Sequence, residues 1–166
     1  EPADILVSDV EMPGMSGFSL RAAMLRRKRV AGDDLYARRD SHWTTLGSLA
    51  LTRAALDVVG RGVSLRAAEV HDPGREEYIG DLAALIGSTE IDTRAQREVR
   101  RATGARRVPG RTLVVGDSFF AAASAQPAPY LTDMRTALWA NTPLPEIAGE
   151  IRRADTVVLE TVEREF

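Results

Sequence analysis

Two stretches of this sequence combine residue types and spacings that support catalysis: Asp40-Ser41-His42-Trp43-Thr44 and Val114-Val115-Gly116-Asp117-Ser118-Phe119-Phe120. A serine hydroxyl is a poor nucleophile until a base takes its proton, and the base itself needs orienting. Asp40, two residues before His42, can accept from one ring nitrogen and leave the other to meet Ser118. The backbone N–H groups of Ser118 and Phe119, at the start of an expected helix turn, would face developing negative charge. Each piece also has a plainer reading. Gly116-Asp117-Ser118 could simply cap a helix, and a lone histidine often has no task. Trp43 could offer a wall for a sugar ring or sit in the core. The other histidine, His71, lies in the turn-like His71-Asp72-Pro73-Gly74 and is expected at the surface. With two histidines and no cysteine, the sequence holds no second nucleophile–base partnership of this kind.

Composition narrows the alternatives. The 166 residues suit one domain with a sizeable core, and 44% apolar with 28% charged residues is ordinary for a globular chain. A formal charge of −2 gives no bulk attraction to nucleic acid. Lacking cysteine, the chain has no disulfide, thiol chemistry or cysteine metal site, and its carboxylates and histidines show no ligand spacing, so no metal is expected. No run approaches the roughly 18 apolar residues of a membrane span. The sequence opens at Glu1 rather than methionine, so it reads as a fragment, which leaves room for a leader or anchor upstream.

The elements that must position these residues are legible in outline. Ile5-Leu6-Val7 within Asp4–Val10 predicts a buried strand, followed by a turn at 12–14, a helix from Ser16 towards Arg29 and a loop over 31–34. Leu51, Ala54, Ala55, Val58 and Val59 follow helical spacing and Gly60 ends the pattern. A strand is expected within Val63–Val70, and a helix over Tyr78–Ile86 with Leu82, Leu85 and Ile86 turned inward. The arginine-rich 88–109 reads as a surface excursion with a helix near Ala95–Ala102. Strands are predicted at Leu113-Val114-Val115, Arg135–Ala140 and Thr156–Leu159, with a helix over Pro145–Arg153. Short apolar strands alternating with helices predict an α/β protein with a parallel sheet covered on both faces. Ligands sit at the carboxyl ends of such strands, where Gly116-Asp117-Ser118 falls.

The joint pattern resembles a known family. Leu35–Gly47, with Asp40 and His42 inside it, resembles the Asp-His block of the alginate O-acetyltransferase family, SGNH-hydrolase-like proteins acting on exopolysaccharides. Gly80-Asp81-Leu82-Ala83 is similar to a further block, Val114–Phe120 to the nucleophile block, and Ala154–Glu160 through Glu163-Arg164 to the closing strand. The order is distinctive, because ordinary GDSL esterases place the serine first. Over about residues 33–166 the resemblance implies a three-layer, SGNH-hydrolase or flavodoxin-like sandwich. It implies Ser118 as nucleophile, His42 as base and Asp40 as its orienting acid. Asn141 and Arg164 are candidates to help hold the oxyanion. It further implies a polysaccharide acceptor, no cofactor, an acetyl group delivered through a membrane-bound O-acyltransferase, and a site in the periplasm or at the cell surface. A carbohydrate esterase would use the same three residues.

A second resemblance covers residues 1–24. Ala3–Gly17 is similar to the phosphoacceptor block of response-regulator receiver domains, with Asp9 in the phosphorylated position. Receiver chemistry also needs an earlier acidic pair for Mg²⁺ and a later lysine. The sequence starts after the first, and its single lysine, Lys28, comes too early for the second. The expectation is one domain over 1–166 with a junction near 24–33, and a truncated receiver-like signalling module is the non-enzymatic alternative.

Overall fold

Strand β8 (Val108–Gly116) is the spine of the molecule, with Leu113-Val114-Val115 buried. It pairs in parallel with β9 (Leu131–Leu138) on one side and β10 (Thr156–Glu160) on the other. A further parallel strand, β1 (Asp4–Ser8), follows β10 and gives the order β1-β10-β8-β9. This computed structural model describes residues 35, 37–60 and 62–160, together with the backbone of β1, β2 (Glu11–Met12) and β3 (Met15–Ser16). The turn at 13–14, the helix expected towards Arg29, the loop over 31–34 and residues Asp9, Lys28 and Arg164 lie outside the described residues. Ser16 itself closes β3.

Side chains alternate across a strand, and the two faces of the sheet are covered differently. Val114 and Val158 point to one side, where they meet Phe120, Leu51 and Val59. Leu113, Val115 and Val157 point to the other and pack with Ala137, Ile147 and Ala154. The first layer is built by α1 (Thr45–Val59) and α3 (Ser118–Ala123), the second by α4 (Leu144–Ile151). The architecture is the predicted three-layer α/β sandwich on a parallel sheet. Expected strands at 113–115, 135–140 and 156–159 and the helix over 145–153 are all present, with shifted ends.

The segment between α1 and β8 departs from expectation. Of Val63–Val70, only Val70 enters a strand, the two-residue β4 (Val70–His71), after a 3₁₀ turn at Ala67–Glu69. Tyr78 belongs not to a helix but to β5 (Arg75–Tyr78), and the helix that follows, α2 (Asp81–Leu85), is one short turn and a half. Leu82, Leu85 and Ile86 face outward, with Leu85 82% exposed. No helix forms near Ala95–Ala102, where β6 (Asp92–Ala95) pairs with β5 and β7 (Glu98–Val99) pairs with β4. The β5–β6 ladder is sealed by charge rather than by apolar alternation. Arg94 pairs with Glu76 at 2.5 Å and stacks over the Tyr78 ring at 4.6 Å. A search for hydrophobic period has nothing to find there.

A buried polar group ties this excursion to the sheet. Tyr130, fully buried ahead of β9, donates its hydroxyl to Glu69 at 3.0 Å, and the Arg101 guanidinium lies 4.3 Å over its ring. Burial and the Glu69 carboxylate both push the Tyr130 hydroxyl well above its usual range.

Candidate active site

The Asp-His stretch is a closed loop before α1. Thr44 N–H donates to the Leu35 carbonyl at 2.9 Å, and Ala37 N–H to the His42 carbonyl at 3.2 Å. Thr44 then caps the helix, its hydroxyl accepting from Gly47 N–H at 3.2 Å. At the tip, Arg39 takes a positive φ of 54°, a left-handed conformation uncommon for a residue with a Cβ. Within this frame one Asp40 oxygen accepts both the backbone N–H of His42 and its ring Nδ1–H, each at 2.9 Å. That bond fixes the tautomer and leaves Nε2 as the proton acceptor. Asp40 is nearly buried and the His42 side chain is 27% exposed, so the imidazole is reachable while the carboxylate it bonds is shielded.

The short helix α2 braces this loop. Its first N–H groups lack partners inside the helix, and the Arg39 carbonyl accepts from Leu82 N–H at 3.1 Å and Ala83 N–H at 3.2 Å. Asp81 returns the grip, accepting the Ser41 N–H at 2.6 Å and the Ser41 hydroxyl. Partial burial works against the Asp81 charge, but the Ser41 and Leu82 hydrogen bonds and nearby His42 outweigh it and hold the carboxyl below its usual range. Asp81 also reaches His42 Nδ1 at 3.5 Å. Asp81 therefore joins the site, although the sequence reading marked it only as part of a resembling block. Its position four decades of residues downstream gave no local signal.

Asp40, His42 and Asp81 each bring one ligand atom within 4.8 Å of the others, a span a small cation could bridge. One Asp40 oxygen and both Asp81 oxygens already accept hydrogen bonds from His42 and Ser41. A cation would have to displace the bonds that shape the loop.

The serine turn lies at the carboxyl end of β8. Asp117 caps α3, its carboxylate accepting from Phe119 N–H at 2.8 Å, and Ser118 is the first, exposed residue of the helix. The capping reading thus holds for Asp117. The Phe119 N–H, expected to face developing negative charge, is spent on that cap, which corrects that expectation and leaves the Ser118 N–H as the turn's candidate donor. Phe119 contributes through its ring instead, which lies 5.4 Å from the His42 ring and edge-on to Trp43 at 6.1 Å. His42 is therefore seated on the residue next to Ser118, and among the described residues no hydrogen bond joins the two side chains.

The remaining candidates divide. Trp43 is 9% exposed and packs with Leu35, Ala50, Phe119 and Ala123, so it is a core residue and not a sugar-facing wall. Asn141 is exposed in the turn after β9. That turn adjoins the serine turn, because Leu138 pairs with Gly116 and Trp139 N–H donates to the Gly116 carbonyl at 3.1 Å. Trp139 is 51% exposed, the aromatic that does stand open at this rim. His71 is exposed, as expected.

Neither a protein-family model nor a curated protein sequence matches the chain. Solved structures do. The O-acetyltransferase domain of Pseudomonas putida AlgJ aligns over 96% of this chain and 74% of its own, at 16% identity and a TM-score of 0.50. Pseudomonas aeruginosa AlgX aligns over 98% of this chain at 14% identity and a TM-score of 0.52, and the chain spans about half, 52%, of its length. A DHHW family protein from Eubacterium siraeum DSM 15702 aligns over 97% of this chain and 78% of its own, at 11% identity and a TM-score of 0.52. The likeness is one of fold, an SGNH-like α/β sandwich. It lends no support to the receiver resemblance of residues 1–24.

Proposed function

We propose that this chain is the acyl-transferring domain of a polysaccharide O-acetyltransferase of the SGNH type, acting outside the cytoplasm. The observation that carries the reading is the Asp40–His42 bond at 2.9 Å with the His42 ring resting on Phe119, beside Ser118. The fold shared with the AlgJ O-acetyltransferase domain and the order of the Asp-His and serine blocks support the same reading.

In this mechanism His42 Nε2 takes the Ser118 hydroxyl proton as Oγ attacks the acetyl carbonyl. The tetrahedral oxyanion is met by Ser118 N–H and the Asn141 side chain. Collapse expels the donor's leaving group, which receives the proton from His42, and leaves acetyl-Ser118. A sugar hydroxyl then attacks the ester, its proton passes to His42 and on to Ser118 Oγ, and the acetylated sugar departs. Asp40 stays ionised throughout and stabilises the imidazolium. A membrane-bound O-acyltransferase partner would supply the acetyl group, and an exopolysaccharide would accept it.

The test is product analysis with an acetyl-ester donor and an oligosaccharide acceptor. Acetylated oligosaccharide, lost in Ser118→Ala and His42→Ala, is the expected result. Acetate released with no acetylated sugar assigns the same residues to a carbohydrate esterase. No turnover, with no serine-probe adduct at Ser118, removes the catalytic reading altogether.

A further inference from the structure

The mechanism above leaves one buried titratable group unused at the site. Glu160 ends β10 with 4% of its surface exposed, directly behind the serine turn. One of its carboxyl oxygens accepts the Asp117 N–H at 3.2 Å. It also fills the space over Gly116, where a Cβ would come within 3.0 Å of that oxygen. We propose that Glu160 is a positioning residue for the nucleophile turn, a buried neutral carboxylic acid that shares its proton with the Asp117 carboxylate and so holds the cap that aims Ser118. The proposal rests on the serine role assigned above and deepens it.

The surroundings require a neutral acid. Two carboxyl groups in contact cannot both carry charge without repulsion, and a buried charge lacks solvation. Of the elements packed on Glu160, β8 brings Gly116, α3 brings Phe120 and the turn brings Asp117, while β1 runs alongside with Ser8 in register. Among the described residues Asp117 is the charged group that faces it, and no cation does. Burial first, and then the Asp117 charge and side-chain hydrogen bond, push the Glu160 carboxyl up to about 7, against backbone hydrogen bonds from Asp117 and Phe120. Because the folded value is raised, the stabilisation is complete below the ordinary carboxylate range and is lost as pH rises through about 7. Ionised Glu160 would repel Asp117, release the Phe119 N–H and let the turn drift.

The experiment compares the chain with Glu160→Gln and Glu160→Ala. The readouts are fluorophosphonate labelling of Ser118 from pH 5.5 to 9 and amide hydrogen exchange at Asp117 and Phe119. The expected labelling rate falls on the alkaline side with a midpoint near 7, and protection of the two amides falls with it. Glutamine keeps the acceptor and supplies an N–H in place of the acid proton, so Glu160→Gln removes the alkaline fall. Glu160→Ala slows labelling about ten-fold or more at every pH, the size of effect expected when a reacting group is misplaced. An alkaline limb that persists in Glu160→Gln, or wild-type labelling in folded Glu160→Ala, overturns the proposal. If wild-type Ser118 takes no label while amide protection still titrates and Glu160→Gln abolishes the titration, Glu160 holds the turn and the nucleophile assignment is what fails.

Discussion

At the scale of residues, the candidate site consists of a shielded carboxylate, a reachable imidazole and a serine at a helix start, placed by backbone bonds together with the carboxylates of Asp40, Asp81 and Asp117. The exposed aromatic at its rim extends it. Trp139 is set beside the serine turn by its own N–H bond to Gly116, and a flat apolar face at that place suits the C–H face of a sugar ring. Trp139→Ala should therefore raise the acceptor KM about ten-fold with kcat little changed, the pattern of lost uniform binding; an unchanged KM would separate Trp139 from substrate. Much of the site could be read from sequence because its chemistry sits in two short windows, Asp40-Ser41-His42 and Gly116-Asp117-Ser118. Asp81, Trp139 and Glu160 could not. Each reaches the site through strand register or helix docking, and each sits in a sequence window with no companion of complementary chemistry. Trp43 stayed open between wall and core for a related reason, since a tryptophan's neighbours in sequence do not reveal which way its ring turns.

At the scale of elements, the brace formed by α2 matters most. Gly80 passes so close to the loop tip that a Cβ would fall 2.0 Å from the Arg39 carbonyl oxygen, against backbone that has no room to yield. Gly80→Ala should pull α2 away from Arg39, break the Asp81 contact with Ser41 and let the His42 loop wander. Serine-probe labelling of Ser118 should fall by about two orders of magnitude, as small displacements at a catalytic base do, while the sheet stays folded by circular dichroism. Labelling at the wild-type rate would show that the loop holds its shape unaided. Why the sheet strands were legible, while the start of α2 and the facing of its leucines were not, follows from the contacts that hold each. Leu113-Val114-Val115 is buried on both faces and reads as an apolar run. In α2 the stabilisation comes from two N–H bonds to Arg39, one aspartate and the burial of the small Ala83, so its large apolar residues had no inward face to announce. The β5–β6 ladder hid in the same way behind Arg94, Glu76 and Tyr78.

At the scale of the whole molecule, the excursion over 62–107 is fastened at several points, among them Asp81 at the site, Arg97 against Thr45 and Gln126, and the Glu69–Arg101–Tyr130 group under the sheet. Tyr130→Phe keeps the ring beneath Arg101 but removes one of the two hydrogen bonds to a buried Glu69 oxygen, leaving it the Arg66 N–H alone, so it should cost about 1–3 kcal/mol of stability and lower the melting temperature, with kcat little affected because the lost bond lies away from the serine turn. A melting temperature equal to wild type would show that water or Arg101 compensates. The strand order carries a kinetic meaning as well. Strands β8, β9 and β10 follow one another within the last third of the chain, so their pairing closes short loops and comes early in folding. Strand β1 completes the sheet from about 150 residues away in sequence, and such non-local pairing is slow to form. Asp117, Glu160 and the Ser118 turn lie on the early-forming side of that division. The mounting of Ser118 should thus emerge with the first structured nucleus, and the edge strand that closes the sheet should arrive last.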